Sequence, residues 1–372
     1  MAEILILGGG FGGVVAAEEL ARELGAQHHI TLVARTSRFT FHPALVRLAF
    51  GECAPEDVEF DLRGAMLDRR VRFIEAEVAR VEPQTRTVRL AGGDAAGDLN
   101  YDFLVFALGR RLATERVKGF YEYAHHLLTV EAALKFGAAV REFHGGHAVI
   151  GSCPGARLEV PVYETVFSLA RRLSTHGERA RLTVISPEYP SLRVGSADIA
   201  RAVAPALDAQ HLNFMKHFPV TEVTAEVVRA ADAMEVEYDL LMLIPPFTGP
   251  SALAGIGLTD EEGYVRVART MRVVGCERMY AVGDAVSLAG PKLGHMAVRQ
   301  GAVAAANIAA ELAGRTPTET YEHELRLVVD AGGNSSYLHK QLWADGAKTV
   351  GHGRFWHWAK RVQERYWLAT HA

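Results

Sequence analysis

The sequence predicts an α/β protein built from two Rossmann-type dinucleotide-binding domains, one inserted in the other, followed by a C-terminal extension. Three observations carry this. Strand-like and helix-like runs alternate from the first residues, the order strand, glycine turn, helix, strand restarts near residue 147, and apolar strands ending in glycine flank that second unit. With 372 residues, 49% of them hydrophobic, the chain can bury several cores. The expected division is 1–112 and 246–315 for the first domain, 113–245 for the inserted one and 316–372 for the extension.

The elements follow in order. Ile4, Leu5, Ile6 and Leu7 form a short apolar strand, which Gly8-Gly9-Gly10-Phe11-Gly12-Gly13 turns into a helix reaching residue 24. A strand over 29–34 closes the first βαβ unit. An alternating strand pair spans 71–90 and includes Val78, and 101–109 is a buried strand running through Ala107 into Gly109. The second unit runs from His147-Ala148-Val149-Ile150 through a Gly/Cys/Pro turn and a helix over 162–173 to a strand over 181–186. Pro245-Pro246-Phe247-Thr248-Gly249 reads as the crossover back to the first domain. The strand 279–285 then delivers an acid to a loop, and an alanine-rich helix over 295–313 faces the first domain, with Gly314 and Pro317 placed to end it.

Composition excludes several classes. A formal net charge of -4 offers no basic face for phosphates, so nucleic-acid partners are set aside. Cys53, Cys153 and Cys276 are an odd number spread over a long chain, unlike a secreted disulfide framework. The first strand begins too soon for a cleavable leader, and a cytoplasmic address is expected. The longest apolar run, 240–247, is broken by Pro245 and Pro246 and is too short to span a bilayer. The histidines lack metal-ligand spacing and read as surface loop residues, so no metal is expected.

The first glycine turn has the GxGxxG pattern between a strand and a helix, where absent side chains let a pyrophosphate approach the helix N-terminus. Gly8, Gly10, Phe11, Gly12 and Gly13 are therefore candidate cofactor contacts, joined by Val78, Ala107 and Gly109. The acid that usually binds a ribose hydroxyl is missing, because the second strand ends Val33-Ala34-Arg35-Thr36, and Arg35 over the adenine or near a phosphate is the substitute. Tyr280-Ala281-Val282-Gly283-Asp284-Ala285 separates the ligands. A strand ending in Gly-Asp brings the Asp284 carboxylate to the ribityl chain of an extended FAD, a task NAD does not set; the plain alternative is a capping aspartate.

With Met242-Leu243-Ile244-Pro245-Pro246-Phe247-Thr248-Gly249 and Pro291-Lys292-Leu293-Gly294-His295-Met296, these motifs occur in the order found in two-dinucleotide-domain flavoproteins. Over nearly its whole length the chain resembles the sulfide:quinone oxidoreductases and the flavoprotein subunit of flavocytochrome c sulfide dehydrogenase, with type II NADH:quinone dehydrogenases as the neighbouring family. The resemblance implies FAD, a small sulfur substrate and a quinone acceptor. It places Lys292 by the flavin pyrimidine edge, where a cation stabilises the charge that develops on reduction; the alternative is a surface lysine. Cys153, in Gly151-Ser152-Cys153-Pro154-Gly155 ahead of a helix, sits where the helix field favours thiolate, and by resemblance it forms a persulfide or flavin adduct. Pro161-Val162-Tyr163-Glu164 resembles the family's Pro-x-Tyr-Glu element and makes Glu164 a general base or proton carrier on the quinone side, against a solvated helix glutamate.

The cysteines depart from that family. Its partner cysteine is replaced by Val329-Asp330-Ala331-Gly332-Gly333-Asn334, and the segment matching a third cysteine reads His126-Leu127-Leu128-Thr129-Val130. Cys53 and Cys276 read as small apolar or surface residues. A persulfide on Cys153 alone, an external thiol as sulfur acceptor, and a chemistry other than sulfide's stay open. In the second turn Cys153 takes the place of the second glycine, where a side chain obstructs a pyrophosphate, so NADH is disfavoured, although Glu188 ends the next strand near where a ribose would lie. An NADH:quinone oxidoreductase and a non-catalytic flavin electron-transfer or redox-sensing subunit are the alternatives.

In 354–368, Phe355, Trp358, Ala359, Val362 and Tyr366 recur at helical spacing while Lys360, Arg361 and Arg365 fall elsewhere. An aromatic face with basic flanks suits peripheral contact with the inner face of a membrane; an ordinary helix packed on the body, or on a second copy in a homo-oligomer, fits equally. Tyr337, Trp343 and Phe355 are expected to line a quinone pocket.

Overall fold

The computed structural model describes residues 1–187, 196–343 and 348–372. The first domain opens with β1 (Glu3–Leu7), α1 (Phe11–Leu24), β2 (His29–Ala34), β3 (Arg72–Glu75) and β4 (Phe103–Phe106). The second contains β5 (Gly146–Ser152), α2 (Val160–His176), β6 (Ala180–Ser186), β7 (Asn213–Lys216) and β8 (Leu240–Ile244). The chain returns with β9 (Met279–Ala281) and α3 (Gly294–Leu312), then adds β10 (Glu324–Val329), β11 (Ser336–Gln341), β12 (Thr349–His352) and α4 (Arg354–His371).

Two parallel sheets result, one in the order β9-β4-β1-β2-β3 and the other β7-β6-β5-β8. Strand β4, inside the first sheet, and β8, at the edge of the second, are continuous apolar runs buried on both faces. Going out, Arg111–Leu112 pairs antiparallel with Phe247–Thr248 coming back, so the two crossovers lie side by side. In the first domain α1 and α3 pack almost backbone to backbone. A Cβ on Gly301 would stand 2.5 Å from the Gly12 carbonyl oxygen, which fixes glycine at this crossing. Glu188 lies outside the described residues.

The C-terminal sheet, β10-β11-β12, is antiparallel, and α4 lies back over the first domain with its polar side inward. His357 meets Asp330, Lys360 meets Glu164, Arg361 meets Glu52, Glu364 meets Arg47 and His371 meets Glu18. The aromatic face points outward, with Phe355, Trp358, Val362 and Tyr366 exposed by 70, 70, 47 and 71%. Two expectations change. Lys360 and Arg361 are not basic flanks, because carboxylates of the body hold them, and His357 is a paired helix residue rather than a surface loop histidine. Trp367 is the helix's apolar anchor: its ring lies 4.8 Å from Phe11, 4.7 Å from Phe39 and 5.5 Å from Phe41, and it stacks on His371 at 4.3 Å.

Candidate cofactor and redox site

Gly8 adopts a φ of 114°, and a Cβ there would stand 2.1 Å from the Ala107 carbonyl oxygen, so the turn out of β1 accepts no side chain. Gly13 is excluded from bearing one by the Gly8 carbonyl, 1.9 Å away. At Gly10 the situation reverses, since nothing lies within 4 Å of a Cβ. That bare face opens onto space at the start of α1, whose first turn holds no acid and has no side-chain cap. Helix α3 also begins without a side-chain cap or an acid. A Cβ on its first residue, Gly294, would lie 3.1 Å from the Phe11 ring, so both helices start side by side. Uncapped amides and two aligned macrodipoles at one place favour an anion.

Beside them, Gly283 turns the chain at a φ of 73° after β9 and presents Asp284, which pairs with Arg110. The Arg110 guanidinium stacks over Phe247 at 4.3 Å. Lys292 is 6% exposed, donates to the Val286 carbonyl and lies 4.4 Å from the Tyr264 ring centre. Burial, then the Arg157 charge, push its pKa well down, against Asp284. The reading of Lys292 as a surface lysine is excluded. Arg157 donates to the Leu288 and Gly290 carbonyls, while the Lys292 amide donates to the Arg157 carbonyl at 2.8 Å.

Three buried polar atoms here, Arg110 Nε, Thr248 Oγ1 and Tyr264 OH, have no hydrogen-bond partner within the protein. With the open face at Gly10, they fit a ligand carrying a pyrophosphate at one end and a polar ring edge at the other. Arg35 is exposed at the end of β2, Val78 is buried in the strand Glu77–Glu82, and Gly109 has a φ of 72° one residue before Arg110. Arg110, Arg157 and Tyr264 were not singled out from sequence. Arg110 was within reach, since it follows the Gly109 turn directly; the other two belong to no motif.

Cys153 departs from expectation. Helix α2 begins only at Val160, so the cysteine is not at its N-terminus, and the side chain is 0% exposed among Val149, Ile185, Leu241 and Leu243. Burial pushes the thiol pKa up and favours SH over thiolate. The side chain therefore points into the core and does not itself block a pyrophosphate. The longer connection, residues 153–159, separates strand from helix where 8–10 do so in the first domain. All three cysteines are free.

Glu164 is buried, not solvated. It accepts from the Asp330 amide at 2.7 Å and pairs with Lys360; burial raises its pKa, against the Lys360 charge. Asp330 bonds His357 at 2.8 Å. Burial opposes its ionisation, but the His357 bond, the Gly332 amide and the Lys360 charge hold its pKa below the usual range. Of the expected quinone-lining trio, Tyr337 and Phe355 both meet Trp356, the first stacked at 4.2 Å and the second edge-on at 5.1 Å, while Trp343 packs elsewhere, against Tyr321 and His323.

A sulfide-quinone reductase of Aquifex aeolicus (strain VF5) is 28% identical over 265 residues, covering 68% of this chain and 60% of that protein. Mitochondrial sulfide:quinone oxidoreductase of Mus musculus is 22% identical over 308 residues, covering 77% of this chain and 66% of that one. The chain thus spans less than two thirds of either relative. The X-ray structure of the sulfide:quinone oxidoreductase of Aquifex aeolicus superposes with a TM-score of 0.92 at 23% identity, covering 100% of this chain and 91% of that chain, a likeness of fold. The two parallel sheets, the glycine turn and a match to the family's sequence profile over residues 2–301 make the chain a member of the pyridine nucleotide-disulphide oxidoreductase family.

Proposed function

We propose that this chain is an FAD-dependent oxidoreductase that passes two electrons from sulfide, or a related small sulfur species, to a quinone. The observation that carries the reading is the meeting of two uncapped helix N-termini at Gly10, Phe11 and Gly294, beside Asp284 and buried Lys292. FAD, when bound, supplies a carrier that takes up and releases two electrons. The chain's own residues do the rest. The turn 8–13 receives the pyrophosphate, Asp284 the ribityl hydroxyls and Lys292 the charge that reduction brings to the ring edge.

Cys153 is the candidate sulfur carrier. Its thiol and hydrogen sulfide together lose two electrons and two protons to form the persulfide, and the quinone gains both pairs to become quinol. Glu164, held by Lys360, is the candidate proton carrier on the quinone side. The outward aromatic face of α4 fits peripheral contact with a bilayer, where quinones reside. A donor other than NADH is supported by the connection 153–159, which Arg157 ties to carbonyls of the first domain where a dinucleotide turn would be short and open. The burial of Cys153 in an apolar cluster favours one second reading, an electron-transfer subunit without sulfur chemistry.

Anaerobic stopped-flow absorbance tests this. Fast flavin bleaching by sulfide, lost in Cys153→Ser, is expected. Bleaching by NADH alone would move the chain to the NADH:quinone enzymes, and bleaching by neither would favour the second reading.

A further inference from the structure

A group of buried side chains outside the groups assigned above holds two points, Gly283 and Ala289, of the loop between β9 and α3. The Gly283 amide donates to Gln300 Oε1 at 2.7 Å, and the Gln300 side chain faces the Tyr321 hydroxyl. That hydroxyl lies 3.1 Å from His323 Nδ1, and His323 Nε2 lies 2.6 Å from the Ala289 carbonyl oxygen. A carbonyl only accepts, so Nε2 carries the ring proton, Nδ1 accepts, and Tyr321 donates to it. The direction of each of these bonds is thereby fixed.

Gln300, Tyr321 and His323 are all buried, and Trp343 covers the last two with ring centres at 5.8 and 5.3 Å. Burial, with the Lys292 and Arg157 charges and against the Ala289 carbonyl, lowers the His323 pKa, in keeping with a neutral ring. The loop so tied carries Asp284 and leads directly into Lys292, yet apart from the short turn Gly283–Ala285 it has no regular structure before α3. Side chains in a loop hold a working geometry only when something outside the loop locks it. Arg157 holds the loop from the inserted domain through the Leu288 and Gly290 carbonyls, and the C-terminal extension adds a second hold at Ala289.

We propose that His323 and Tyr321, acting through Gln300, are positioning residues that hold Asp284 and Lys292 where the flavin meets them; this rests on the flavin reading above. The test compares wild type with His323→Phe, which fills the ring volume without donor or acceptor, and His323→Gln, which keeps one of each. Hydrogen exchange of the peptide 283–292 is followed in cofactor-free protein, FAD affinity by quenching of flavin fluorescence, and midpoint potential by dye-equilibrated reduction. His323→Phe is expected to speed exchange and weaken FAD binding about tenfold and to shift the potential, and His323→Gln to return exchange and affinity to within about threefold of wild type. Unchanged exchange and affinity in His323→Phe overturn the proposal, as does a folded His323→Gln that is equally defective. Should His323→Phe fail to fold, Tyr321→Phe removes one hydroxyl from the same group: smaller losses of the same sign support the proposal and none overturns it. Wild type that binds no FAD overturns the flavin reading, while exchange still decides whether the loop is held.

Discussion

Lys292 and Cys153 are both buried, and burial drives each toward its uncharged form, but only the lysine has a counter-charge nearby to oppose this. Asp284 works to keep Lys292 protonated, and any further negative charge entering the site adds to that. For Cys153 burial is the one resolved influence on the thiol. Lys292→Met is therefore expected to slow flavin reduction roughly 100-fold and to lower the midpoint potential, as loss of a preorganised cation at a developing charge should. Stopped-flow rates and a redox titration check this, and an unchanged potential would detach Lys292 from the ring edge. The glycines of the first turn were legible because close backbone approach imposes them, and the Asp284 loop was legible because its strand is short and apolar. What sequence hid were charges whose meaning depends on distant partners. Arg110 finds Asp284 across 174 residues, and burial reverses the simple expectation for Cys153.

At the scale of the element, α4 separates what periodicity can and cannot tell. Spacing identified the aromatic face, and the helix occupies that segment. It did not reveal that Glu18, Glu52, Glu164 and Asp330 receive the opposite face, because no local pattern links such distant residues. A helix seated through ion pairs should respond to pH. Asp330 has a depressed folded pKa, so its contribution is fully present above the unfolded value of about 4 and is lost as pH falls through the folded value. Glu164, with a raised pKa, has the opposite sign, so of these two carboxylates Asp330 is the one whose protonation loosens α4. Trp356, Trp358 and Trp367 all lie on this helix, so tryptophan emission reports on it. An acid transition is expected in wild type and its loss in Asp330→Asn; an unaltered transition in the variant would remove Asp330 from the role.

For the whole molecule, alternating strands and helices made two parallel sheets legible, and the repeated strand-turn-helix order made the second one so. The sequence could not show that the second turn is lengthened and tied to the first domain, since the carbonyls that Arg157 meets belong to no pattern. Among the described residues no helix is long and apolar enough to cross a membrane. Contact with lipid would instead use the outer face of α4, and Phe355→Ala with Trp358→Ala is expected to reduce co-sedimentation with lipid vesicles at least about tenfold. That same helix rests Trp367 on Phe11, the residue that opens α1 at the cofactor turn. Where a contact on the outer face of α4 shifts Trp367, it acts on Phe11 as well, and thermodynamic reciprocity sets the terms. If vesicles tighten FAD binding by some factor, FAD must tighten vesicle binding by that factor, and Trp367→Ala should bring both factors toward one.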